Sequence, residues 1–181
     1  ELKEVEEINK ILRDLSDLCN LYNEEIAGNQ DKLIQIDFNF AKGQLAYEMQ
    51  AIKPILNDKN IINIKNARHP LLKGKVVPIS ISLGKDYRAL IITGPNTGGK
   101  TVTLKTLGLM TVMAQSGLHL PCDQFSQLAI FENIFADIGD RQSIEMSLST
   151  FSASMTNIVD ILDRADDKSL VLFDELGSGT D

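Results

Sequence analysis

The chain has 181 residues, of which 43% are hydrophobic and 24% charged, and a formal net charge of −7. That composition supports a real core and argues against global disorder; no stretch approaches 18 uninterrupted apolar residues, so no membrane-spanning helix is expected. Residues 1–30 carry eight acidic and three basic side chains, five of the seven net negative charges, and neither part of the chain has the basic surplus usual for a nucleic-acid surface.

The chain opens on Glu1-Leu-Lys-Glu4, with no Met and no basic patch followed by an apolar run. No signal peptide is therefore expected, and the simplest reading is a piece of a longer polypeptide: one domain with an appendage. Cys19 and Cys122 match no metal spacing and are expected as free thiols in a reducing cytoplasm.

Residues 1–27 read as a helix that Gly28-Asn29 ends. Val5, Ile8, Leu12, Leu15, Cys19, Tyr22 and Ile26 recur at alternating intervals of three and four, the period of a coiled-coil seam. Such a stripe suits either a helix packed on its own domain or the root of a long helical arm. A second helix is expected over 37–52, with Phe38, Ala41, Leu45 and Met49 on one side and Pro54 as its stop. Ile61–Lys65 and the alternating Val77–Leu83 read as strands of an antiparallel platform.

Ala89–Ile92 is a continuous apolar run, the pattern of a strand buried on both faces. A Gly-rich loop follows, then an apolar helix over Thr101–Ser116 that Gly117 ends. Leu128–Phe131 and Ile134–Ile138 are strand candidates, 139–148 a polar loop, 150–165 a helix, and Ser169–Phe173 a second buried strand. Strands separated by helices predict an α/β fold with a mostly parallel core sheet and crossover helices.

Gly94, Pro95, Asn96, Thr97, Gly98, Gly99, Lys100 and Thr101 fit the phosphate-binding pattern G-x-x-x-x-G-K-[ST] at every fixed position. Glycines let backbone N–H groups turn inward onto phosphate oxygens, and the following helix directs its positive end at the same anion. Lys100 is placed to reach the β- and γ-phosphates of ATP or GTP, and the Thr101 hydroxyl to ligate Mg²⁺. Asp174 and Glu175 follow directly on the second buried strand. Asp174 is the candidate Mg²⁺ carboxylate, and Glu175 the candidate general base for the attacking water. Gly177–Asp181 is a polar loop, either a plain turn or a contact with a second subunit. Ser147–Phe151 opens a helix, where hydroxyls serve as caps or as donors to a phosphate. His69 and His119 are too far apart for a metal pair, so no metal beyond Mg²⁺ is expected.

Several segments, in order and at similar intervals, resemble the ATPases of the MutS type. They are Ala67-Arg-His-Pro-Leu71, Gly94–Lys105, Gly117-Leu-His-Leu-Pro121, Ser149-Thr-Phe151 and Asp174-Glu-Leu-Gly-Ser-Gly-Thr-Asp181. Thr97, Thr101-Val102 and Phe135-Ala-Asp-Ile-Gly-Asp140 are most similar to the second bacterial branch, MutS-II, rather than to the mismatch-repair branch. The resemblance covers about residues 33–181. It implies a P-loop NTPase of the ATP-binding-cassette-like class, with residues 1–52 as the end of a helical lever and 53–181 as the first part of the ATPase domain. It also implies ATP and Mg²⁺ as ligands and a homodimer in which Ser149 of the partner subunit contacts the γ-phosphate. Asp181 would signal between subunits, and Val76 and Val77 lie where relatives offer apolar side chains to adenine. Other parts of such proteins bind branched DNA, suppress recombination and split collided ribosomes, and many carry a C-terminal Smr nuclease domain. The chain stops at Asp181, before the segment expected to hold a switch histidine and the remaining core strands.

Two rival readings remain. The segment could be a nucleotide-binding scaffold with negligible turnover, since its composite site is incomplete. It could also be an SMC- or Rad50-like chromosome ATPase, against which the missing Leu-Ser-Gly-Gly signature argues.

Overall fold

The computed structural model describes residues 2–95, 98–139 and 147–174, with the backbone alone for 147–154. The chain divides into two compact units, Glu1–Gln44 and Leu45–Asp181.

The first unit is helical, with α1 at Leu2–Leu21 and the greater part of α2, which spans Asn23–Glu48. The expected stop at Gly28-Asn29 is not made. The helix is interrupted instead at Tyr22, whose N–H bonds to Cys19 O at 3.1 Å, and regular bonding resumes with Ile26 N–H on Tyr22 O at 2.9 Å. A glycine ends a helix by taking a left-handed conformation, and Gly28 does not take one. The helix runs through it at a cost of about 1 kcal/mol relative to alanine. The apolar seam of α1 is solvent-facing: Val5, Ile8, Leu12 and Leu15 are 50–56% exposed.

The second helix was expected to run to a stop at Pro54, but α2 ends at Glu48. Gln50 adopts φ 50°, Gln50 N–H bonds to Tyr47 O at 3.1 Å, and Ala51 N–H to Ala46 O at 2.8 Å. This pair of bonds is a Schellman turn, with glutamine where glycine is usual.

A four-stranded sheet follows, built from β1 (Ile55–Asn57), β2 (Ile62–Ala67), β3 (Ile79–Leu83) and β4 (Gln127–Ala129) in the order β1-β4-β2-β3. β2 pairs antiparallel with β3, as expected of the platform; it also pairs antiparallel with β4, which was not expected there, and β1 and β4 run parallel. Between β3 and β4 lies α3 (Lys100–Gln115). Among the described residues a second sheet holds β5 (Asn133–Asp137) and β6 (Ser169–Phe173), parallel and in continuous register, with α4 (Ser147–Arg164) as the crossover between them.

Among the described residues the strands form a mixed sheet and a separate parallel pair. Two expectations are corrected here. Ala89–Ile92 is no strand, and Leu90 and Ile91 are 42% and 85% exposed. An apolar run becomes a buried strand only when a neighbour completes its hydrogen-bond ladder, and among the described residues nothing pairs with it. The expected loop at 139–148 gives way to α4 from Ser147; 140–146 lie outside the described residues.

The core gathers around α3, which packs against β4 of one sheet and β6 of the other. Met110 and Thr111 are fully buried. At Gly108 an added Cβ would stand 2.8 Å from Leu172 Cδ1, so the missing side chain sets how closely α3 approaches β6. The Gln115 amide donates to Phe131 O at 3.0 Å and accepts from Phe131 N–H at 2.9 Å, fastening the end of α3 to the link between the sheets.

Both cysteines are free, with Cys19 exposed and Cys122 buried. Burial pushes the Cys122 thiol above its ordinary range and keeps it protonated. A thiol reagent at about pH 8 is expected to label Cys19 in the folded protein and Cys122 only after denaturation. Equal labelling rates would contradict this packing.

Candidate nucleotide-binding site

The site lies where the loop before α3 meets the end of β6. Gly98 N–H bonds to Pro95 O at 2.9 Å, closing a turn. Gly99, the N-cap of α3, has φ 79° and ψ 17°, a left-handed geometry suited to glycine. It offers no side-chain cap, so no side chain of the N-cap covers the first-turn N–H groups that carry the positive end of the helix. The Lys100 ammonium folds back over the loop and donates to Gly94 O at 2.7 Å.

Thr101 stands in the first turn of α3. Its Oγ1 donates to Asp174 Oδ2 at 2.6 Å in half-buried surroundings, across 73 residues of chain. Asp174 is placed by the parallel ladder: its N–H bonds to Asp137 O at 3.0 Å, one step past the last residue of β6. A hydroxyl donating to a carboxylate is a charge-assisted bond, among the stronger ones.

The donor set fits Mg²⁺ with a polyphosphate. A hydroxyl and a carboxylate are hard oxygen ligands, and Mg²⁺ commonly takes one or two such groups together with phosphate and water. No cluster of three His, Cys, Asp or Glu side chains able to hold a metal alone occurs among the described residues. Around Gly94 and Gly99 an added Cβ would meet nothing within 4 Å, so the loop faces open space.

Residues 90–181 match the family model described as MutS domain V. The whole chain is also similar to longer proteins. It is 60% identical to Endonuclease MutS2 of Alkaliphilus oremlandii (strain OhILAs) over 181 residues. It is 56% identical to Endonuclease MutS2 of Clostridioides difficile (strain 630) and 58% to Putative endonuclease MutS2 of Bacillus subtilis (strain 168). The chain belongs to the MutS2 family. Each of these three alignments covers 99% of the chain and 23% of the MutS2 relative, so the segment spans less than a quarter of their length.

Within this MutS2 segment the structure brings Gly94, Pro95, Gly98 and Gly99 of the loop together with Lys100 and Thr101 of the first turn of α3 and joins Thr101 to Asp174. Asn96, Thr97, Glu175 and Gly177–Asp181 lie outside the described residues. Ser149 falls in the first turn of α4, where only the backbone is described. Val76 lines a cavity of about 720 Å³ together with Leu109 and Met113 of α3, and no residue of the P-loop shares that lining. Val77 is 78% exposed. The cavity that Val76 lines is therefore not shared with the described residues of the glycine-rich loop.

Gly108 and Arg68 were given no role from the sequence. A glycine inside an otherwise apolar helix is a weak signal of close packing, and no local pattern marks the distant partners of Arg68. No described helix is long and apolar enough to cross a membrane.

Proposed function

We propose that this segment is the ATP-binding part of a MutS2 protein, a P-loop NTPase of the ATP-binding-cassette-like class with a mostly parallel core once its strands are paired. The bond from Thr101 to Asp174 carries this reading, because it joins the phosphate loop to a carboxylate at the end of a parallel strand. When bound, Mg²⁺ would neutralise charge on the phosphates. Thr101 and Asp174 would hold it, and Lys100 would leave Gly94 O for the β- and γ-phosphates. Glu175 would orient the attacking water and take its proton. Gly94, Pro95, Asn96, Thr97, Gly98 and Gly99 would cradle the phosphates with their backbone. Ser149 of the partner subunit would complete the site in a homodimer, and Val76 and Val77 would approach the adenine.

Residues 1–52 would serve as the end of a helical lever and 53–181 as the start of the ATPase domain. The relatives' printed name, endonuclease, supports nuclease action on DNA by other parts of the whole protein. Branched DNA and collided ribosomes are the substrates proposed for those parts, and the cytoplasm is the proposed location. In the full-length protein Glu175→Gln is expected to slow phosphate release about a hundredfold; unchanged turnover would remove Glu175 from the role of base.

One observation favours a quieter reading for the isolated segment. The run Ala89–Ile92, which leads into the P-loop, is exposed over Ala89–Ile91 and unpaired among the described residues. Without a rigid strand behind it, the loop lacks the preorganisation that catalysis needs. Residues 1–181 alone are therefore expected to bind nucleotide with little turnover.

A further inference from the structure

Arg68 takes no part in the phosphate loop, yet it ties two segments together. Its backbone N–H bonds to Pro121 O at 2.9 Å. Its guanidinium reaches the end of α2, with Nη1 donating to Gln50 Oε1 at 3.2 Å and Nη2 to Met49 O and Gln50 O, each at 3.3 Å. Those carbonyls belong to the turn in which Gln50 holds a left-handed conformation that non-glycine residues seldom adopt. Such a turn persists where its surroundings over-determine it, and the guanidinium fork supplies three of the bonds that do so.

Pro121 is linked to the phosphate loop by a short, stiff route. α3 begins at Lys100 and runs 16 residues, about 24 Å. Its exit is fixed by a Schellman turn, with Gly117 N–H on Ala114 O and Leu118 N–H on Met113 O, both at 3.0 Å. Leu120 then pairs with Ile52 through reciprocal bonds of 2.8 and 2.9 Å. A cavity of about 720 Å³, lined by Leu45, Met49, Leu109 and Met113 among others, leaves part of the surface between α3 and this end of α2 open. A shift of α3 therefore has polar links, beside the packing of Met49 and Ile52 on the core, through which to reach the end of α2.

We infer that Arg68 is a positioning residue through which nucleotide occupancy of the P-loop is felt at the C-terminal end of α2. The inference rests on the proposed nucleotide site and adds a means of regulation to it. When phosphate draws on the N-terminus of α3, its exit segment moves with the helix. Arg68 follows Pro121 through its backbone and carries the Met49 and Gln50 carbonyls with its side chain.

Hydrogen exchange of the full-length protein, with and without magnesium and a non-hydrolysable ATP analogue, tests this. In the wild type, nucleotide is expected to change exchange at the Gln50 and Ala51 amides about tenfold, the scale of ordinary coupling between sites; the Ile52 amide, bonded directly to Leu120 O, should respond with or without Arg68. In Arg68→Ala the change at Gln50 and Ala51 should fall below about twofold, while protection at the Gly98 and Thr103 amides persists. Arg68→Lys, which keeps the charge without the planar fork, should give an intermediate response and serves if the alanine variant does not fold. An undiminished response of Gln50 and Ala51 in Arg68→Ala, or in Arg68→Lys if that variant alone folds, overturns the inference. So does a wild-type protein whose Gly98 and Thr103 amides are protected while the Gln50 and Ala51 amides stay unchanged. If nucleotide protects neither region, the nucleotide reading itself falls, and the inference with it.

Discussion

In the full-length protein, Asp174→Ala is expected to slow phosphate release about a thousandfold, the scale of removing a group that stabilises developing charge. Asp174 combines two properties that can be separated. Its oxygen accepts the Thr101 hydroxyl at 2.6 Å, and its negative charge would hold the cation. Asp174→Asn keeps an acceptor for Thr101 but removes the charge, so it should leave the loop folded while weakening the magnesium dependence of nucleotide binding. Lys100→Ala removes the cation that now rests on Gly94 O. It should weaken binding of a fluorescent ATP analogue even where magnesium is saturating, because the lysine contacts phosphate directly. Full turnover in Asp174→Asn would show that the carboxylate serves packing rather than the metal.

The second large effect concerns stability. Gly84 follows β3 with φ 93°, and its N–H bonds to Tyr87 O at 2.8 Å. A Cβ there would lie 1.8 Å from Asn60 O and 2.8 Å from Asn60 C. Both are backbone atoms, so no rotamer change relieves the clash. Asn60 is itself tied down, with φ 56° and its side-chain amide donating to Asp167 O at 2.7 Å. Left-handed strain and overpacking together put the cost of Gly84→Ala at about 3 kcal/mol or more, a fall in Tm of roughly 6–12 °C for a protein of this size. Gly74 provides the control. Its φ is 85° but its surroundings are empty to 4 Å, so Gly74→Ala carries only the strain, about 1 kcal/mol. Thermal melts of the two variants compared with the parent protein measure the difference, and equal losses would contradict the close approach of Gly84 to Asn60.

The elements legible in the sequence are those that local chemistry controls. Gly117 and Leu118 end α3 as a Schellman turn, as expected from a glycine after an apolar helix. Ser169–Phe173 forms β6 with alternate burial, its pattern legible because apolar side chains dominate a short run. Failures came where the same local signal permits two outcomes. Gly28 could cap a helix or sit inside one, and flanking helical bonds decided for the second. Ala89–Ile92 has the composition of a buried strand, but strand formation needs a partner that composition does not provide.

By itself the sequence determined the glycine-rich loop, the helix that follows it and the carboxylate at a strand end, because each depends on residues within a turn or two of chain. Only the tertiary structure decided that Thr101 and Asp174 meet, that Gly108 admits Leu172, that β4 joins the antiparallel platform, and that Arg68 grips the end of α2. Those are contacts between segments distant along the chain, and their formation depends on which surfaces pack together and which backbone groups remain to be satisfied.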